Sequence, residues 1–505
     1  MSVLLLAALA ASGGLATTLL ARRGRGAFLV GLVTSAACLV AAASIDAADV
    51  VPLAGSLLGG SDGLRVLAVA WAASTLLFGL IEALIGDGPT VLGPALIGLA
   101  LGVVGLGESD PGIGLALVTA GAVLTAVVPL IGRIDIREAA PRLGLRTVRP
   151  VIASGVIGLL VVAWAASPAG PLGATGPVGT VDPSLGRAMG LALLALALAV
   201  GIRLGAIPAH VWVARYAEAM PASAVPPMMG WGSAAFALVA YGWIDVTISP
   251  IGAPLGQEHA AIAFIAALSI VLGGVAAILH HDLEHVLAYA IVQDAGVALL
   301  GFAASGATVT PAARDWIIGA VAVKAALAAW VLVMRATFGS NQRARLRGWM
   351  RRAPILGLAF GIILVAAIGL PTFAAFDARA ALVRLAFPGP LAVAILITSF
   401  APLVFLGRLL LDGLGPMSEA VRSASGAGVV LGWASAGGWA GDRTLRRAIP
   451  AAIRANRLAL AAVAVVFAAA VGLSVAVGGL GSTTVSDGAL GAVGRAPLTA
   501  GATRL

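Results

Sequence analysis

The sequence predicts an all-α integral membrane protein of about fourteen transmembrane helices, and three observations carry that prediction. Hydrophobic residues make up 60% of the 505 and charged residues only 10%, far from the balance of an ordinary globular chain. Apolar runs long enough to cross a bilayer follow one another, separated by short connections that often bear arginine. Two of the runs are interrupted by proline close to glycine, which a bilayer tolerates only where protein or a water-filled cavity satisfies the freed backbone. The 66 glycines suit membrane helices that pack closely through small residues.

In chain order, the first six spans fall near 1–21, 27–44, 64–86, 90–106, 112–132 and 148–167. The first run lacks an early basic region, and Arg22, Arg23 and Arg25 follow it, so it reads as a membrane helix and not a secretory leader. The seventh span starts near 187, is interrupted over 204–208 at Gly205 and Pro208, and resumes to about 220; the eighth covers 222–244. Spans nine to eleven fall near 259–280, 285–304 and 313–337. The twelfth starts near 353, breaks at Gly369 and Pro371, and resumes to 388; the last two lie near 389–411 and 458–480.

Charge asymmetry orients this array. With the N-terminus outside, the inside connections receive Arg133, Arg137, Arg142 and Arg146, then Arg343 to Arg352, then Arg443, Arg446, Arg447 and Arg454. The outside connections hold Asp46, Asp49, Asp110 and Asp182. The polar tail 481–505 then also lies outside, partly disordered, and the location expected is the cytoplasmic membrane. The net charge of +9 is accounted for by this distribution, so no nucleic-acid partner is expected; the surrounding partner is the lipid bilayer. The single cysteine, Cys38, excludes an intramolecular disulfide and reads as a packing residue.

Lys324 is the only lysine in the chain, and it sits near the middle of the apolar run 315–334. A guanidinium stays protonated in essentially any protein site, whereas a buried amine gives up and regains its proton. A charge at mid-bilayer costs at least ~2.5–3.5 kcal/mol, so such a residue implies a function and a hidden partner. A purely structural lysine paired with a neighbouring helix is the alternative. Paired broken helices in corresponding positions of two halves point to an ion pathway, against the plainer reading of two proline kinks.

Four stretches then resemble one family. Gly201, Arg203, Pro208, His210 and Trp212, followed by Glu218 and Pro221, match a GxKxxxxPxHxW…EGAP pattern. His281, Asp282, Ala288 and Tyr289, followed by Gly296, match DxKRLLAYSSI…G; Lys324 with its flanking residues matches HAxxKALLF; Gly369, Pro371, Phe376 and Arg379 match GLPPLAGFxGK. Ser61 to Leu64 add a weaker fifth match. The chain resembles the antiporter-like proton-conducting membrane subunits of respiratory complex I, group 4 hydrogenases and multisubunit cation/proton antiporters, as a divergent member.

The resemblance implies two inverted five-helix repeats, each a half-channel with a broken helix. It divides the chain into an N-terminal three-helix segment (1–89), a first half-channel (90–244), a second (259–411), an inside loop with the last helix (412–480), and the tail. It also implies a proton relay in which a fifth-span glutamate pairs with a seventh-span lysine, followed by lysines of the eighth and eleventh spans and a lysine or glutamate of the twelfth. Here these positions hold Thr119, Arg203, Ser233, Lys324 and Arg379. The second half is the better equipped, with Lys324, Asp294, His280, His281, and Asp377 beside Arg379; His210 is the remaining match in the first half, where a satisfied packing histidine is the alternative. Asp294 is placed to pair with Lys324, and Glu82 reads as a residue snorkelling to the interface. The ten tryptophans read as anchors or packing.

No phosphate loop, cysteine cluster, paired histidine ligands or nucleophile elbow is present, so no cofactor is expected and any redox chemistry belongs to partner subunits. The expected role is proton translocation as one membrane subunit of a complex I-like or hydrogenase-like assembly, at most a subunit of a translocase such as NADH-quinone oxidoreductase. A non-pumping structural relative, a cation/proton antiporter subunit and an inorganic-carbon uptake subunit are the alternatives.

Overall fold

In the computed structural model, residues 3–21, 25–53, 56–85, 91–131, 139–167, 183–219, 222–249, 255–304, 309–423 and 442–478 are described. Asp182, Arg133, Arg137, Pro221 and the tail 481–505 lie outside them. Among the described residues, nine helices are long and apolar enough to cross a membrane, and four shorter apolar helices accompany them. Aliphatic side chains such as Leu19, Leu29, Leu279, Ile397 and Leu411 stand well exposed on the helix surfaces, as lipid-facing positions require.

The chain opens with α1 (Val3–Leu19), α2 (Arg25–Ala43) and α3 (Asp62–Ile85). An antiparallel hairpin, β1 (Val50–Leu53) and β2 (Ser56–Gly59), pairs Val50 with Gly59 in the connection before α3, an element without a counterpart in the sequence reading. The Ser61 hydroxyl accepts the Leu64 N–H at 2.9 Å and caps α3. Helices α4 (Leu92–Gly107), α5 (Pro111–Ile131) and α6 (Ala139–Ala166) follow. Cys38 is fully buried in packing.

The seventh passage is α7 (Pro183–Leu204) and α8 (Val211–Ala219). Between them Gly205 takes φ +80°, which a side chain resists, and a Cβ there would fall 2.0 Å from Cγ2 of Val213. The eighth passage is no simple helix. A 3₁₀ turn (Ala222–Ala224) leads into a π-helical turn (Pro226–Trp231) and then α9 (Gly232–Thr247). Two consecutive prolines supply no N–H to the preceding turn, and that favours this irregular backbone.

Helices α10 (Gly256–Leu279), α11 (Leu283–Leu299) and α12 (Val309–Phe338) come next, then α13 (Trp349–Arg352) and the broken pair α14 (Pro354–Ile368) and α15 (Ala374–Ala386). Gly369 and Thr372 take φ of +62° and +91° in this break. The thirteenth passage, read from sequence as one span, is itself interrupted. Helix α16 (Gly389–Thr398) ends at Ser399 and Phe400 before α17 (Ala401–Leu414), with Pro402 in the first turn of α17. A short α18 (Glu419–Ser423) precedes α19 (Asp442–Val477), which starts well before the 458 read from hydropathy because its basic first turns hide it from an apolar scan.

α12 lies at the centre, in contact with α3, α11, α14, α15 and α19. The fully buried Trp71, Trp231, Trp330 and Trp349 are packing residues; Trp330 meets Trp349 edge-on, with ring centroids 5.2 Å apart.

Candidate functional site

Alanine and valine surround Lys324 on α12, so neighbouring helices come close and the residue is left 8% exposed. Its Nζ lies 2.5 Å from Oδ2 of Asp294 on α11. The backbone carbonyl of Asp294 accepts the Trp316 indole N–H at 3.1 Å, which ties α11 to α12 beside the pair. Opposite charges supplied by adjacent helices are what permit either to be buried in so apolar a setting.

Two cavities meet at this ion pair. One of about 40 Å³ runs toward the first helix break and is lined by Leu204, Pro226 and Met229 as well as Asp294 and Lys324. The other, about 10 Å³, runs toward the second break and is lined by the same two residues with Gly369 and Arg379. The sole lysine therefore stands between the two interrupted helices.

Arg379 is 1% exposed. Its guanidinium donates to the carbonyl of Ile368 (2.6 Å), the last residue of α14, and to that of Ser399 (3.4 Å), just past α16. It lies 3.9 Å from the Phe400 ring centroid and also faces Trp316. One side chain thus bridges carbonyls at two helix ends, and at Ser399 it shares the acceptor with the Gln293 amide, which donates at 3.2 Å. Arg203, also 1% exposed, donates to the carbonyls of Val151 and Val118 at 3.3 and 3.4 Å and lies 5.4 Å from the Phe236 ring centroid. Among the described residues no carboxylate forms an ion pair with it. Thr119 adjoins Val118, and the Ser233 hydroxyl donates to the Arg203 carbonyl at 3.0 Å, so Thr119 and Ser233 are grouped around Arg203.

The histidines do not join the ion pair. His280 and His281 precede α11, about 17 Å along that helix from Asp294 at 1.5 Å per residue, and His281 is exposed. His280 stacks on His285 and Tyr289, with centroids 4.9 and 4.8 Å apart, and His210 in the first break faces Tyr289 at 6.3 Å. Asp377 is exposed and forms no ion pair with Arg379 among the described residues. Glu82 is 5% exposed and accepts the Ser223 hydroxyl at 2.6 Å, so it does not snorkel. Nothing in the local sequence signals that partner, because Ser223 is 141 positions away.

Burial pushes the His280 imidazole below its ordinary value of 6.5; His285 and His281 add to this, and Asp282 opposes it. The neutral ring is thus favoured in the folded state. Its contribution to stability is fully present above pH 6.5 and declines as the pH falls below it, because the unfolded chain binds the proton first. In an NMR titration, labelled His280 is expected to protonate below pH 6.5, and the His285→Ala variant to bring its midpoint closer to that value.

Interrupted helices flanking a buried acid–base pair define an antiporter-like membrane subunit. The family described as NADH:quinone oxidoreductase/Mrp antiporter, transmembrane region, matches residues 182–404. NADH-quinone oxidoreductase subunit N of Cereibacter sphaeroides is 31% identical over 340 residues, 63% of this chain and 70% of that relative. The corresponding subunit of Parafrankia is 28% identical, over 47% of this chain and 45% of its own length. The chain belongs to this family. In fold it is similar to chains of the Mrp complex from Dietzia (TM-score 0.68, 18% identity, covering 94% of this chain and 95% of that one) and of respiratory complex I from Thermus thermophilus (0.61, 21%, 93% and 97%).

Proposed function

We propose that this chain is a proton-translocating membrane subunit of a multisubunit assembly of the complex I or hydrogenase type, with Lys324 and Asp294 as the proton-exchanging pair. The observation that carries this reading is the 2.5 Å contact between them at the junction of two cavities, each leading to a helix break. In the ion-paired state the amine is protonated and the carboxylate charged. Separating the two charges, by a change transmitted from partner subunits, lowers the affinity of the amine for its proton and releases it toward the Arg379 side. Arg203 and Arg379 stay charged throughout and act as fixed positive fields, not as carriers. Both termini outside, with the arginine-rich connections inside, is the orientation that goes with this reading.

The observation favouring a non-pumping supporting role is that Thr119 and Ser233 stand where relatives carry ionisable groups. The Lys324→Met variant separates the two readings. In the native assembly reconstituted in vesicles, translocation read by a pH-sensitive dye is expected to fall at least about 100-fold with the assembly intact. Wild-type translocation in that variant leaves only the supporting role.

A further inference from the structure

Glu82 has no counterpart in the relay that the family resemblance implies. It lies in the last turn of α3, and the small cavity beside it, about 10 Å³, is lined by Ser74, Thr75, Ser223, Pro227 and Trp231 together with apolar residues such as Phe78 and Leu92. Ser74 lies eight residues before Glu82, so the polar lining extends ~12 Å along the helix. The buried indole N–H of Trp231 finds no acceptor among the described residues. The prolines of the π-helical turn leave the carbonyls of the turn before them without helix donors. With an orphan indole donor and a carboxylate in its lining, a cavity of this size has room for about one water molecule.

The π-helical turn is the partition between two cavities. Pro227 faces the Glu82 cavity, while Pro226, Met229 and Gly230 face the one that ends at Lys324 and Asp294. Irregular turns of this kind cluster at functional sites, and here the turn lines both the cavity beside a buried carboxylate and the one at the lysine pair.

We propose that Glu82 is the proton acceptor at the mouth of a hydrated passage that crosses the π-helical turn and feeds Lys324. This rests on the proposed role of the Lys324–Asp294 pair. The Glu82 carboxylate takes a proton from hydronium at the inner end of α3 and becomes a carboxylic acid. Passing the proton through ordered water restores the carboxylate and converts the Lys324 amine to ammonium, and no electrons move. The route replaces the fifth-span carboxylate, whose position here is Thr119, with one on the third span.

The test uses the native assembly in vesicles. Glu82→Gln is expected to lower the translocation rate at least about ten-fold, and Glu82→Asp to recover most of it. Wild-type translocation in Glu82→Gln together with its loss in Lys324→Met overturns this inference and leaves the proposed function standing; wild-type rates in both overturn the two together. If Glu82→Gln does not assemble, Ser223→Ala decides, because it keeps the carboxyl and removes a hydroxyl that stabilises its charged form. The rate–pH profile is then expected to move, and an unmoved profile overturns the inference.

Discussion

Replacing Asp294 with alanine is expected to destabilise the protein by about 3–5 kcal/mol, the cost of leaving one member of a buried ion pair without its partner. Lys324 would then share an apolar interior with the Arg379 guanidinium and have no carboxylate to face. Asp294→Asn, which keeps an acceptor for the ammonium, is expected to lose less. The double variant Asp294→Ala/Lys324→Met is expected to recover most of the loss, because it removes the orphaned charge along with its partner. Unfolding in mixed micelles checks all three; a double variant no more stable than Asp294→Ala would show that the charge itself is not what destabilises it.

The second large effect is expected from Arg379→Leu, at about 2–4 kcal/mol. The Ile368 carbonyl loses its side-chain donor, at ~1–3 kcal/mol, the Ser399 carbonyl keeps only the Gln293 amide, and the stacking on Phe400 disappears; relief from burying a charge offsets part of this. Lysine is a poor substitute, since a single ammonium does not reproduce a planar fork that reaches two carbonyls. The distinctive readout is hydrogen exchange, which should rise at both 368–372 and 398–400 in the same variant. A rise at one break alone would show that the two helix ends are held independently.

The helices and the two breaks were legible because hydropathy and proline are local signals. The π-helical turn was harder to see, since Pro226 and Pro227 announce an irregularity but not its kind. The interruption at Ser399 and Phe400 was missed because both flanking segments are apolar and Pro402 suits the first turn of a helix. The start of α19 was hidden by its arginines. At the site, Lys324 stood out by being the only lysine, and Asp294 by its slot one helix away. The separation of His280 and His281 from Asp294 follows from distance along α11, which motif spacing understates. Asp377 lies two residues from Arg379, yet in a helix that offset turns side chains to different faces, one exposed and one buried. Glu82 was misjudged because its partner comes from a remote part of the chain.

Gly472 of α19 sits against α12, where a Cβ would lie 3.3 Å from the carbonyl oxygen of Ala322 and 3.4 Å from Cα of Val323. The latest of the described helices therefore closes over the flank of the one that carries the amine. During synthesis at roughly 5–20 residues per second, the stretch between Phe338 and Asp442 takes about 5–20 s to emerge. For that interval the nascent chain holds its most polar interior site without its final cover, so quality control of a stalled or shortened product has a physical handle in the open side of α12.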